Sequence, residues 1–450
     1  MAVAVIDIGK TNAKLALVEL EALREIAVLK APNVVVSTGP YPHADVAALW
    51  EFVLDSLAAL RRDHRIEAIS VTTHGATAAL LDAEGELALP ILDYEFAGVE
   101  SSAADYAAIR DDFAETGSPR LTVGLNLGAQ LFWQQQNFPE AFGRVAIIVA
   151  YPQYWGYRLT GVAANEVTSL GCHTDLWSPH RRGFSPMVDR LGWRTLFPPV
   201  RSARDRLGTL LPEVAHRTGL PLSTPVLTGI HDSNASLLPH LLRRQTPFAV
   251  VSTGTWVVSL AVGARPMALD PERDTLINVN ALGDPVPSSR FMGGRENELI
   301  GKDLPEASDA DIAWVLDNGL FYLPSWQTGS GPFPKRLGGW SVQGSPGQKR
   351  AALSFYLALM TATCLELIGA AGPIVVEGPF NSNGLFGQML RAATGRDVII
   401  AATGTGTSAG AAMLAMPSPA APELPDRPVA IPPAAWAEYA ADWRAAVAAP

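Results

Sequence analysis

Apolar and polar positions along the first third of the chain follow two alternating rhythms. Residues 3–8 (VAVIDI) are a β-branched apolar run broken only by Asp7, the mark of a buried strand. Residues 13–20 (AKLALVEL) alternate well enough to be the return arm of a hairpin turned at GKTN. Over residues 44–62, Val46, Leu49, Trp50, Val53, Leu57 and Leu60 recur at 3,4 spacing, which predicts a helix with one buried face. Residues 66–72 form another strand, ending at Thr73-His74-Gly75. Strand, helix and strand in alternation imply an α/β chain whose largely parallel sheet is covered by helices.

The same grammar restarts near residue 225. Residues 225–229 read as a strand ending at Ile230-His231-Asp232, with a helix through Leu242 behind it. Strands at 248–252 and 257–262 flank the turn STGTW, echoing the N-terminal hairpin. A helix over 348–369, a strand at 373–377, a helix over 385–394 and a strand at 398–401 follow. The expected organisation is a domain over 1–228 and a second over 229–416, each carrying a phosphate-sized turn. Residues 417–450 add a proline-rich tether and an amphipathic helix bearing Trp436, Tyr439 and Trp443.

Composition narrows the class. The 450 residues are 48% apolar and 17% charged, enough for a substantial core. A net charge of -10 argues against a nucleic-acid or anionic-membrane partner. Cys172 and Cys364 are the only cysteines and form no CxxC pair, which disfavours a disulfide framework or structural zinc and suits a reducing cytoplasm. Asp7 inside the first apolar run, with no basic leader before it, argues against a signal peptide. The uncharged stretch 398–416 has the length of a membrane span, but its Gly/Thr-rich middle makes it a strand, a turn and a small-residue helix. A soluble protein is expected.

Candidate chemistry sits at the strand ends. Gly9-Lys10-Thr11 looks like the end of a P-loop, yet the position that needs the first glycine is Ala4, inside the strand. The remaining choice for DIGKTN is an ordinary polar turn, or a hairpin whose Asp holds magnesium through water while Gly, Lys, Thr and Asn face phosphate oxygens. STGTW (252–256) poses the same choice. In GIHDSNA (229–235), Asp232 is either a helix cap or a carboxylate able to take a proton from a substrate hydroxyl. His74, in THGATAALLD, is either a ligand or a structural histidine, and Asp93 with Glu95, in PILDYEF, could grip sugar hydroxyls or merely be solvated. GTSAG (406–410) matches a hydrolase nucleophile elbow, but no histidine follows His240 to complete that relay. Its glycines instead allow a helix to approach another surface or a phosphate closely. GxGxxG is absent and no His or Cys pair has metal-ligand spacing, which disfavours a dinucleotide dehydrogenase or a zinc enzyme.

Across roughly residues 2 to 416 the order of these motifs resembles the FGGY carbohydrate kinases of the actin/Hsp70-like ATPase superfamily. VIDIGKTNAKLALVE, LPEVAHRTGLPLSTPVLTGIHDSNASLL, VVSTGTWVVSL and VEGPFNSNGLFGQMLRAATGRDV carry the likeness. His231-Asp232, STGTW and RFMGGRE (290–296) look closest to kinases of 6-deoxy-ketohexoses such as L-rhamnulose and L-fuculose. The resemblance implies two RNase-H-like domains, with mixed sheets flanked by helices and ATP and sugar in the cleft between them. It implies that Asp7 organises Mg2+ and that Gly9, Lys10, Thr11 and Asn12 face the terminal phosphates, opposed by Thr253, Gly254 and Thr255. Gly378, Asn381, Asn383, Gln388 and Gly404 would border the nucleotide; His74, Gly75, Asp93, Glu95 and His231 would meet the sugar. Asp232 would be the general base. The partners expected are a small sugar and ATP, with no nucleic acid or membrane and with room for a homodimer. The alternatives are a kinase of a pentulose or polyol, such as xylulose, and a non-sugar actin-like ATPase. The chain departs from the family pattern at Phe96-Ala97, where paired arginines are usual, at Gln130, where a lysine is usual, and at a shortened glycine run around Gly378.

Overall fold

The computed structural model describes residues 1–326, 329–401, 406–416 and 426–448. It forms two compact units, one of Met1–Arg243, Ile277–Pro285 and Gly404–Pro422, the other of Arg244–Leu276, Val286–Thr403 and Glu423–Pro450.

In the first unit, strand Ala2–Ile8 is antiparallel to Asn12–Glu19, with Asp7 opposite Lys14, and parallel to Ala68–Thr73, with Asp7 opposite Thr72. The sheet continues through Arg24–Pro32 on one side and through Pro225–Leu227 and Arg206–Thr209 on the other. Its central strands are buried, but the sheet is mixed and not largely parallel as the alternation implied: Ala2–Ile8, Ala68–Thr73 and Pro225–Leu227 run parallel, and the outer strands are antiparallel. Helix Val46–Asp63 starts where the Asp45 carboxylate accepts the Ala48 N–H at 3.0 Å, and it buries Leu49, Val53, Leu57 and Leu60.

The boundary expected after residue 228 is corrected here. Strand Ile230–His231 pairs with Thr72 and Thr73, so it extends the first unit's sheet instead of opening a second domain. Gly229 makes this possible. It sits at φ +87°, and a Cβ there would stand 2.7 Å from the Val71 carbonyl oxygen. The chain kinks at Gly229 and rejoins the same neighbouring strand. Helix Asp232–Arg243 follows and packs on helix Thr407–Met413, where a Cβ on Gly410 would lie 1.7 Å from the Ala235 carbonyl oxygen. The close approach expected of the GTSAG glycines is thus made at Gly410.

The second unit repeats the hairpin. Strand Phe248–Thr253 is antiparallel to Val257–Val262 and parallel to Ile374–Glu377, which is in turn parallel to Val398–Ile400. Helix Pro346–Leu367 begins with a Ser345/Gln348 capping box and is apolar and long enough to cross a membrane, but most of it is buried in this unit's core. Helix Ala434–Ala448 docks on the same core. Its Tyr439 hydroxyl donates to the Leu320 carbonyl at 2.6 Å and the Trp443 indole to that of Tyr322 at 2.9 Å. The expected tether at 417–425 lies outside the described residues.

Candidate active site

Asp232 stands one residue beyond strand Ile230–His231 and opens the helix behind it. Its Oδ1 accepts the Ser233 N–H at 2.6 Å and the Ser233 hydroxyl at 3.3 Å, and lies 3.1 Å from His231 Nε2. Oδ2 has no protein partner among the described residues, and a third of the side chain is exposed. One oxygen is anchored as a helix-start carboxylate would be, and the other is open to a ligand. Burial raises the Asp232 pKa above the ordinary carboxylate range, with His74 acting in the opposite direction.

The two histidines differ in role. His74 Nδ1 lies 2.9 Å from the Gly75 carbonyl, which can only accept, so Nδ1 carries the proton and Nε2 is a free acceptor. Burial lowers the His74 pKa and pushes that of His231 down to about 4, so both rings are neutral at neutral pH. His231 is only 5% exposed and stands behind Asp232. Its backbone N–H donates to the Thr168 hydroxyl at 3.0 Å, and that hydroxyl donates to Glu166 Oε2 at 2.5 Å. Glu166 is wholly buried, which raises its pKa to about 7. Neither Thr168 nor Glu166 stands out in the sequence, because the contact spans about sixty residues of chain.

Asp7 shares this end of the sheet. Burial raises its pKa, Lys14 opposes the rise, and the Asp232 charge adds to it, so the two carboxylates share one electrostatic environment. Lys14 Nζ lies 3.3 Å from Asp7 Oδ2 and 3.1 Å from Glu25 Oε1. A hairpin turned at GKTN places Lys14 across from Asp7. Among the described residues no three His, Cys, Asp or Glu side chains cluster into a cage. A half-buried carboxylate beside a second one suits magnesium, which takes one or two protein oxygens and fills its shell with water and phosphate.

Lys10 is turned away from the hairpin's own backbone. Its ammonium bonds Asp93 Oδ1, lies 3.3 Å from Glu95 Oε2, and sits 5.0 Å from the centre of the Tyr94 ring. Lys10, His74, Asp93 and Tyr94 line one recess together with Asn33 and Tyr151. Gly9, Thr11 and Asn12 form the turn itself, Gly9 N–H donating to the Asn12 carbonyl at 2.9 Å. Gly75 packs so close to His231 that a Cβ would lie 2.9 Å from its Nε2. Gln130, found where the family usually has lysine, donates to the carbonyls of Ala76 and Gly124 and fixes the His74 loop from behind.

In the second unit the nucleotide candidates divide. Gly254 and Thr255 are exposed at the turn, whereas the Thr253 hydroxyl is buried and engaged, donating to the Glu377 carbonyl at 2.6 Å and accepting the Phe380 N–H at 3.0 Å. Gly378 sits at φ +87° with a virtual Cβ 2.1 Å from the Thr253 carbonyl oxygen, so only glycine fits. Asn383 caps helix Gly384–Thr394 through the Phe386 N–H at 3.1 Å. Asn381 Oδ1 is buried without a partner among the described residues, an acceptor that suits a ligand N–H or hydroxyl donor. Gln388 is half-buried on the same helix, and Gly404 lies outside the described residues.

Residues 2–239 match the N-terminal domain of the FGGY family of carbohydrate kinases and residues 245–423 match the C-terminal domain of carbohydrate kinase FGGY. The crystal structure of a carbohydrate kinase from Novosphingobium aromaticivorans is 37% identical, covers 99% of this chain and 98% of its own, and superposes with a TM-score of 0.92. An L-fuculokinase of Salmonella typhi is 26% identical over 269 residues, 56% of this chain and 55% of that protein. A probable L-xylulose kinase of Pasteurella multocida is 26% identical over 270 residues, 56% of this chain and 54% of that protein. The matched region thus spans about half the length of these curated relatives. The chain belongs to the FGGY family of carbohydrate kinases.

Proposed function

We propose that this protein transfers the γ-phosphate of ATP to a primary hydroxyl of a small ketose, with a 6-deoxy-ketohexose such as L-fuculose or L-rhamnulose as the leading substrate class. The observation that carries the reading is Asp232, with one oxygen anchored by Ser233, the other without a protein partner among the described residues, and its charge felt by His74 and Asp7. In this mechanism Asp232 Oδ2 accepts the proton of the attacking hydroxyl as that oxygen bonds to the γ-phosphorus, while the bond from that phosphorus to the bridging oxygen breaks and ADP leaves with the electron pair. A carboxylate made more basic by burial suits the task, and such general bases contribute about 10²–10⁴-fold. His74 Nε2 accepts a second substrate hydroxyl and orients the sugar. The exposed turn residues Thr11 and Asn12 bind phosphate oxygens, and Asp7 would hold magnesium. Charge neutralisation at the transferring phosphoryl group is what that metal would supply when bound. The likeness to L-fuculokinase supports the deoxy-hexulose class.

A pentulose is the second reading, favoured by the similar likeness to an L-xylulose kinase. An ADP-release assay over 6-deoxy-ketohexoses, pentuloses, polyols and a sugar-free control separates the readings. Turnover restricted to pentuloses overturns the leading substrate, and sugar-independent hydrolysis alone overturns the kinase reading.

A further inference from the structure

The resemblance sends Lys10 to phosphate and Asp93 with Glu95 to the sugar, yet in the structure these three side chains satisfy one another. The ammonium bonds Asp93, stands 3.3 Å from Glu95, and lies against the Tyr94 ring. Lys10 and Asp93 are 22% and 12% exposed, so water screens this pair less than it would a pair in open solvent. The Asp93–Glu95 loop is itself fixed: Asp93 N–H donates to the Pro42 carbonyl, and Asp93 Oδ1 also accepts the Glu95 N–H at 3.3 Å. The hairpin is fixed as well, since Asn33 Nδ2 donates to the Gly9 carbonyl at 2.8 Å. Between two rigid segments the lysine stem is the part that can swing, with four rotatable bonds and a compact charge.

We propose that Lys10 couples sugar occupancy to nucleotide affinity. With no sugar present, Asp93 and Glu95 hold its ammonium. Sugar hydroxyls donating to those carboxylates compete for the same oxygens and release the ammonium to the phosphates bound at the hairpin. Each ligand therefore tightens the other by the same factor, as linkage requires. This inference rests on the kinase reading above, because it takes the sugar and phosphate positions from it.

The test measures Mg-ADP affinity by calorimetry on the full chain, with and without the ketose turned over fastest. The wild type is expected to bind ADP about tenfold tighter with sugar, the scale of one charge-assisted hydrogen bond. Lys10→Met is expected to leave sugar-free ADP affinity within about twofold and to abolish the sugar effect. The double variant Asp93→Asn/Glu95→Gln is expected to bind ADP about tenfold tighter without any sugar, and adding Lys10→Met to it should remove the gain. Equal ADP affinity with and without sugar in the wild type, or an undiminished sugar effect in Lys10→Met, overturns the proposal. The sugar-free arm reads the latch even if no ketose is phosphorylated, so failure of the kinase reading is seen separately, in the ADP-release assay.

Discussion

His231 Nε2 lies 3.1 Å from Asp232 Oδ1. An ionised carboxylate only accepts, so the imidazole proton is on Nε2, and the pKa of about 4 keeps the ring neutral through the working range. The neutral ring N–H faces one oxygen of Asp232, which Ser233 anchors, and the other oxygen is left for chemistry. His231→Ala removes the ring N–H that faces the charged form of Asp232 at 3.1 Å, which raises its pKa further. The expected result is a kcat about tenfold lower with the acid limb of kcat/KM moved to higher pH. An acid limb that stays in place or moves down contradicts the positioning role.

Asp232→Asn keeps the shape and removes the base. Phosphorylation should fall at least about a hundredfold while ADP affinity and thermal stability hold. In the wild type, activity needs the ionised carboxylate and is lost as pH falls through a pKa raised above 3.8. The acid limb should therefore sit above the usual aspartate range, and a limb at or below that range would remove Asp232 from the role of base.

Glu166 gives a stability prediction of the opposite sense to a surface acid. Its pKa rises from 4.5 unfolded to about 7 folded, so the folded state holds the proton more tightly. That contribution is complete below about 4.5 and is lost as pH rises through about 7. Glu166→Gln, which cannot ionise, should gain about 1–3 kcal/mol relative to wild type between pH 5 and pH 8. Urea melts at the two pH values measure it, and a pH-independent difference refutes it.

Gly378→Ala tests the nucleotide loop. The added methyl meets the Thr253 carbonyl oxygen in a left-handed conformation, so the loop and the strand end must separate. We expect a stability cost of about 1–3 kcal/mol and a KM for ATP raised more than the KM for sugar. Equal effects on both KM values would mean that this loop does not serve the nucleotide.

Much of this was legible in the chain. Alternation identified both hairpins, the 3,4 spacing found helix Val46–Asp63, and strand ends carried Asp7, His74 and Asp232. Local patterns could not show which strand pairs with which, so Ile230–His231 was expected to open a second domain when it closes the first one's sheet. Thr168 and Glu166 were invisible for the same reason: their role exists only once the backbone of His231 is brought beside them. Lys10 was legible as a charge but not as a partner of Asp93, because the pairing is set by how the loop after residue 90 folds back. The Thr253 hydroxyl looked free for phosphate and is consumed by the Gly378 loop.

Helix Thr407–Met413 brings Ala409, Ala411, Ala412 and Met413 into a cluster with Val3, Val5, Ala235 and Leu238, while the strand just before it belongs to the other unit. Neither unit is a single stretch of polypeptide. A truncated protein stopping at residue 243 would lack part of its own interior, so isolated halves are poor reagents for binding studies. Exchange of one lobe between relatives demands several splice points, and the early part of the chain must wait for its late segments before its packing is complete.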